Sequence, residues 1–109
     1  TTISMYKDFQ ALNLKGDDKE FFYVRVSNTD CDALANEGVT AGVVPQETVS
    51  KKGVYLIKTN NRMYFRWAEV RFGDDEITVS TDVLGKDAVK VSPDKVEVIG
   101  MMTWKGADF

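Results

Sequence analysis

The sequence contains no histidine and a single cysteine, Cys31. Without imidazole groups, Ser-His-Asp and Cys-His catalytic arrangements are excluded, as are metal sites built on histidine. One thiol can form no disulfide within the chain and cannot supply a zinc cage, and this cysteine usage favours a cytoplasmic setting. We therefore predict that the chain holds no metal ion and no cofactor.

Long apolar runs and clusters of basic residues are missing as well. No segment approaches the roughly 18 apolar residues of a membrane span. The 14 Lys and Arg residues are scattered along a chain whose formal net charge is −3. Because nucleic-acid-binding domains usually present a clustered basic face, this composition argues against direct DNA or RNA binding. The lack of a long apolar run argues against a membrane-spanning segment.

The chain has 109 residues, enough for one domain with its own hydrophobic core. Because it begins at Thr1, we expect it to be part of a longer protein. Residues 1–20 keep no clean helical or strand period. We interpret them as an N-terminal arm or linker remnant, with a short helix within residues 2–14 as an alternative. Residues 21–109 are predicted to form the folded domain.

Short β-rich segments separated by turn residues make up most of this domain. In residues 53–72 the pair Asn60-Asn61 separates two apolar arms, which is typical of a tight hairpin because Asn tolerates positive φ. In the second arm, alternation places Phe65 on one face and Arg66 on the other. Further strands are predicted at residues 21–26, 39–44, 77–80, 88–91 and 96–104. The pattern predicts a mainly β domain of about seven short strands in a partly open barrel, with the hairpin at its centre.

Apolar residues of these strands are expected to share one core. The residues that we expect to be buried together are Val24, Val26, Leu56, Phe65, Val79 and Val98. Cys31 is flanked by Asp30 and Asp32 rather than by a cation, so we interpret its thiol as inert. The acidic residues of this cluster lack the spacing of a calcium loop and are interpreted as a solvated turn.

Three segments occur in an order that resembles a known family. They are residues 24–31 (VRVSNTDC), the hairpin that starts at Gly53, and residues 96–102 (VEVIGMM). Together they are similar to the C-terminal domain of LexA, UmuD and the lambda-type phage repressors, a β-rich fold of self-cleaving Ser-Lys peptidases. In that family the first motif carries the nucleophilic serine, and the second arm of the hairpin carries the lysine base. The resemblance covers about residues 21 to 104 and implies a LexA-like domain.

The departures from the family pattern fall on its catalytic positions. Asp30 stands at the serine position, followed by Cys31, and Arg66 stands at the lysine position. Arginine keeps its proton in proteins and cannot serve as the base, and a carboxylate is a poor nucleophile toward an amide. The cleavable Ala-Gly or Cys-Gly pair ahead of the first strand is also missing. We therefore predict a degenerate site without peptidase activity, in which Asp30 and Arg66 either form an ion pair or lie apart.

The resemblance implies a self-association domain of a phage or prophage transcriptional repressor. DNA would be bound by a separate N-terminal helix-turn-helix domain, and an antirepressor protein is a further candidate partner. We predict a dimer or larger oligomer whose interface includes Ile99, Met101, Met102 and Trp104 of the last strand. Both faces of that strand are largely apolar, and a terminal edge strand would offer unpaired backbone groups to a second copy.

Two other classes of function remain open. One is an active self-cleaving or signal-peptidase-like serine peptidase with an atypical nucleophile, for example Ser27 with Lys58 as its base. The other is a small ligand-binding or adaptor β-barrel with no link to repressors.

Overall fold

The protein forms one antiparallel β-sheet in a computed structural model. The structure describes residues 11–16, 19–26, 31–34 and 39–106, with side chains described from Phe22 onward. The strands are β1 (Ala11–Gly16), β2 (Lys19–Val26), β3 (Val39–Pro45), β4 (Gly53–Thr59), β5 (Arg62–Glu69), β6 (Ile77–Ser80), β7 (Val89–Val91) and β8 (Glu97–Gly106). Two 3-10 helices, η1 (Asp32–Leu34) and η2 (Pro93–Lys95), lie between strands.

The order of the strands in the sheet is β1-β2-β3-β8-β4-β5-β6-β7, with antiparallel pairing between neighbours. The mainly β prediction is confirmed, and the sheet is not closed, since β1 and β7 lie at its two ends. β1 lies within residues 1–20, which we interpret from sequence as an arm with a short helix as the alternative, and it pairs along its length with β2. Among the described residues, no helix has the length and apolar character needed to cross a membrane.

β8 lies in the interior of the sheet, between β3 and β4. The expectation that the last strand is an edge strand is therefore wrong. Residues 97–101 pair with β4 and residues 100–106 pair with β3, so β8 is not the continuous free ladder that an edge strand would offer to a second copy. Side chains on both faces of this strand meet apolar neighbours, which explains why the strand lacks a polar face.

The central hairpin is confirmed in position and in turn type. β4 and β5 pair from Gly53 opposite Ala68 to Thr59 opposite Arg62. Between them Asn60 has φ 52° and Asn61 has φ 61°, the left-handed conformation that a two-residue hairpin turn requires at both positions. Local sequence thus determines where this hairpin turns.

Two apolar clusters pack on opposite faces of the sheet. Cluster 1 contains the buried residues Phe22, Val24, Val26, Cys31, Leu34, Ala41, Val43, Val54, Leu56 and Phe65. Cluster 2 contains Tyr55, Ile57, Ala68, Ile77 and Val98. Alternation along β4 and β5 separates the two sets, because successive side chains of a strand point to opposite faces.

The single shared core of the sequence analysis is therefore wrong for two of its members. Val98 belongs to cluster 2 and Val79 packs against it, whereas Leu56 and Phe65 belong to cluster 1. The register supplies the reason: Val98 lies opposite Ile57, and directly opposed residues of neighbouring strands share a face. An irregularity between Leu56 and Ile57 in this pairing shifts the register by one residue.

Candidate functional site

An open cleft of about 290 Å³ lies on the sheet face that carries cluster 2. Its lining residues come from β4 to β7 and from the residue before β8: Ile57, Thr59, Tyr64, Arg66, Val79, Val91 and Val96. Four of these side chains are aliphatic, and Arg66 brings a positive charge. The hairpin places Tyr64 and Arg66 together, because residues two apart on a strand share a face. We call this space the Arg66 cleft.

Arg66 is held by its own strand. Its Nη1 donates a hydrogen bond to the Phe65 carbonyl at 2.9 Å, and its guanidinium carbon lies 5.0 Å from the centroid of the Tyr64 ring. A cation over an aromatic face at this distance gains about 0.5–1 kcal/mol when the pair is partly exposed. These contacts place a permanent cation beside apolar walls, and a guanidinium is unsuited to proton abstraction.

A polar network lies beside the cleft and joins two loops. Asp87 accepts hydrogen bonds from the Thr81 backbone N–H at 2.9 Å and from the Thr81 hydroxyl at 2.6 Å. The hydroxyl contact, then the backbone contact and finally the charge of Arg66 lower the pKa of the Asp87 carboxyl. The backbone N–H of Asp32 in turn donates to the Thr81 carbonyl at 2.8 Å.

Asp32 connects η1 to β5 and to the loop between β6 and β7. Its carboxylate accepts from the Trp67 indole N–H at 2.5 Å and from the Val83 backbone N–H at 3.1 Å. The Trp67 hydrogen bond is the main reason that the pKa of Asp32 is lowered, and the Val83 hydrogen bond acts in the same direction. We had interpreted this residue as part of a solvated turn. No local pattern announces its role, because both partners lie far away in sequence.

Of the three residues predicted to form the degenerate site, the structure describes Cys31 and Arg66. Asp30 lies outside the described residues, so its pairing with Arg66 stays a prediction. Cys31 is 0% exposed and packs in cluster 1, on the face opposite to the Arg66 cleft. Burial agrees with the interpretation of an inert thiol. Ser27, the alternative nucleophile, also lies outside the described residues.

The predicted interface residues divide into two groups. Ile99 and Met102 pack partly against cluster 1, and Met101 packs partly against cluster 2. Trp104 is 43% exposed near the end of β8. Its ring meets the Tyr23 ring edge to face at 5.6 Å between centroids. Of the four residues, Trp104 offers the largest exposed apolar surface.

A second, much smaller recess of about 30 Å³ lies on the other side of β6. Glu69 binds Arg71 at 2.7 Å and faces Lys52 at 3.6 Å, and Lys52 Nζ also donates to the Val83 carbonyl at 3.0 Å. The partners of Glu69, Arg71 first, lower the pKa of its carboxyl. The recess is only about as large as one water molecule, so it cannot hold a substrate.

Within the described part of the chain, no group of His, Cys, Asp and Glu side chains is arranged to hold a metal ion. No protein-family model matches the sequence, and no curated protein matches it significantly.

Proposed function

We propose that this chain is the self-association domain of a phage or prophage transcriptional repressor and that it does not cleave itself. The observation that carries the proposal is Arg66 in the second arm of the Asn60-Asn61 hairpin, where the resembling family has its lysine base. A guanidinium keeps its proton, so the hairpin is retained while the general base is not. In this proposal the protein is cytoplasmic, and an antirepressor is a candidate partner.

The neighbouring thiol does not replace the missing nucleophile. Cys31 is fully buried among apolar side chains of cluster 1, and attack on an amide needs an accessible thiolate near a cation. Of the two catalytic positions of the resembling family, only the lysine position has a described side chain, and Arg66 there cannot serve as the base.

An exposed aromatic surface supports self-association. Gly42 lies between Tyr23 of β2 and Trp104 of β8, and a Cβ atom at Gly42 would come within 3.3 Å of both side chains. The glycine therefore lets the two rings meet over β3. Because Trp and Tyr are enriched at protein interfaces, this half-exposed pair is the surface that we assign to contact with a second copy. Paired domains would let separate N-terminal domains bind paired DNA half-sites.

Autocleavage is tested by incubating the chain at alkaline pH, where a Ser-Lys pair is most active because its amine is deprotonated. We expect the intact mass to persist, and Arg66→Lys alone to leave it unchanged. A discrete pair of fragments in the mass spectrum that disappears on changing Asp30, Cys31 or Ser27 would contradict the proposal and favour the atypical peptidase.

Self-association is tested by analytical ultracentrifugation of Trp104→Glu. We expect the wild-type chain to sediment as a dimer or larger and the variant to dissociate at least about tenfold more readily, as expected for an interface aromatic. Leu84→Glu is the matched control, because Leu84 is 79% exposed but lies in the loop between β6 and β7. A folded wild-type monomer, or equal effects of the two variants, would end this assignment.

A further inference from the structure

Among the large apolar residues that the structure describes, Phe72 is the most exposed, at 107%. It lies in the turn between β5 and β6. The Asp74 backbone N–H donates to the Arg71 carbonyl at 2.9 Å, and Gly73 has φ 85°. This combination is typical of a type II turn with Phe72 at its first central position. The phenyl ring therefore projects from a hydrogen-bonded turn, and the described residues do not cover it.

Ion pairs connect both sides of this turn to the sheet. Arg71 Nε lies 2.7 Å from Glu69 Oε1 at the end of β5, and Lys90 Nζ of β7 lies 3.2 Å from Asp74 Oδ2. These pairs and the backbone hydrogen bond restrict the turn, so a partner that binds Phe72 has few additional residues to order. An exposed aromatic side chain on a restricted turn is suited to insertion into an apolar pocket of another molecule.

The Arg66 cleft is large enough to hold a phenyl ring. Its volume is about 290 Å³, whereas an apolar cavity of about 150 Å³ is enough for a benzene molecule. Phe72 is not among the residues that line the cleft of its own chain. The aliphatic walls are formed by Ile57, Val79, Val91 and Val96. Contact between these walls and a phenyl ring would remove apolar surface of both partners from water.

The cleft favours an apolar group over an anion. Arg66 donates to the Phe65 carbonyl and lies beside the Tyr64 ring, and its charge acts on the Asp87 carboxylate. The positive charge is therefore already engaged within the chain. The surface that the cleft leaves open to a partner is mainly aliphatic.

Exposed charges beside the two surfaces have opposite signs. Asp75 and Glu76 lie in the turn between β5 and β6. Arg62 lies opposite a lining residue of the cleft in the pairing of β4 with β5, and Lys95 directly precedes another, although Asp94 offsets part of this positive charge. Opposite charges at the rim of an interface favour encounter and fix its orientation more than they add affinity.

We propose that Phe72 of one copy of this chain inserts into the Arg66 cleft of a second copy. The acidic residues of the turn then face the basic residues at the rim of the cleft. The contact is head-to-tail, because the ring and the cleft are different surfaces of the same chain, and it links copies in a row unless a ring of copies closes. Because a single aromatic side chain carries the contact, we expect a dissociation constant on the order of 0.1–1 mM. It uses neither member of the Tyr23–Trp104 pair, so it does not depend on the proposed function.

Two complementary variants test the head-to-tail contact. Both also carry Trp104→Glu, so that the surface assigned to the proposed function does not contribute. Phe72→Ser removes the ring and keeps the cleft, whereas Val96→Phe fills part of the cleft and keeps the ring. Neither variant should associate with itself, but an equal mixture should form heterodimers, because one intact ring meets one intact cleft. Sedimentation at concentrations near the expected dissociation constant distinguishes these results.

An NMR titration locates the contact. The Phe72→Ser chain is labelled at its methyl groups and titrated with the unlabelled Val96→Phe chain. The methyl resonances of the cleft residues Ile57, Val79 and Val91 should shift. Titration with unlabelled Phe72→Ser, which lacks the ring, should leave them in place.

Leu84→Ser is the matched control for removal of an exposed apolar side chain, since Leu84 is 79% exposed in a different loop. In the Trp104→Glu chain, Leu84→Ser should leave self-association unchanged. Phe72→Ser should weaken it at least about tenfold, as expected for an interface aromatic.

Three outcomes would overturn the inference: a mixture of the complementary variants that stays monomeric, cleft resonances that do not shift, or equal effects of Leu84→Ser and Phe72→Ser. If Val96→Phe does not fold, Val91→Glu takes its place as the variant with an altered cleft. Unchanged resonances of Leu34 in cluster 1 establish that each variant used is folded.

Discussion

The two faces of the central hairpin differ in how completely they are filled. Leu56 and Phe65 point into cluster 1, which also contains Leu34 of η1, and each of the three is at most 2% exposed. On the opposite face, Tyr64 and Arg66 stand beside an open cleft and a smaller buried cluster. β5 thus contributes to a packed core through alternate residues and to the wall of an open cleft through the others. The difference indicates that cluster 1 stabilises the fold, whereas the cluster 2 face has room for binding.

The largest expected effect is a difference in stability loss between substitutions on the two faces of β5. Phe65→Ala should lower the free energy of unfolding by about 3–5 kcal/mol, the range for a large aromatic residue in a core. Tyr64→Ala, one residue away and only half-buried, should cost clearly less. Denaturant titration of both variants measures the contrast. A loss under about 1 kcal/mol for Phe65→Ala would mean that the strand presents its other face to the core.

Substitution of Gly100, where β8 approaches β3 closely, should have the next largest effect on stability. A Cβ atom at Gly100 would lie 2.5 Å from the Val44 carbonyl oxygen and 2.6 Å from Val43 Cγ1. Gly100→Ala should therefore destabilise by about 1–3 kcal/mol through overpacking. Gly53→Ala is the control, since its Cβ would meet Met101 Sδ at an ordinary 3.6 Å. Equal melting temperatures for Gly100→Ala and Gly53→Ala would contradict a close approach of β3 and β8 at Gly100.

Two hydroxyl groups of β6 offer a finer comparison. Among the described residues, no protein group forms a hydrogen bond with the buried Thr78 hydroxyl, whereas the Ser80 hydroxyl donates to the Asp82 carbonyl at 2.7 Å. Thr78→Val should leave stability unchanged or raise it by up to about 1 kcal/mol, because an isosteric apolar group loses no partner. Ser80→Ala should lower stability by about 1 kcal/mol. Chemical denaturation that gives the reverse order would contradict the assigned hydrogen bonds.

The smallest expected effect is on the pH dependence of stability, through the hydrogen bonds of the Asp32 carboxylate. The pKa of Asp32 is lowered in the folded state, first by the Trp67 hydrogen bond and then by that of Val83, so folding stabilises its ionised form. This stabilisation is complete above the unfolded pKa of about 3.9 and is lost as pH falls through the lower folded value. The wild-type protein should therefore have a higher melting temperature than Asp32→Asn at neutral pH, and this difference should vanish in strong acid.

Asp75→Asn, which removes the same charge from an exposed turn, controls for net charge in this experiment. A melting difference between wild type and Asp32→Asn that stays constant down to pH 2 would show that the Asp32 carboxylate does not provide it.

The local signals in the sequence were sufficient for seven of the eight strands, for the turn and for the faces of the hairpin, but they did not predict β1. Asn60 and Asn61 determine the turn because both tolerate positive φ, and alternation from there assigns Phe65 and Arg66 to opposite faces. The absence of histidine excludes whole classes of chemistry without any structure. The LexA-like identity and the repressor function rest on short motifs and stay proposals.

Only the tertiary structure decided which strands are neighbours and which side chains meet. It places β8 between β3 and β4, divides the apolar residues into two clusters, and brings Asp32 to Trp67 across 35 residues of sequence. Turn propensity and alternation act over a few residues and are visible in the sequence. Pairing between distant strands depends on register and on irregularities such as those in β8, which leave no local signal.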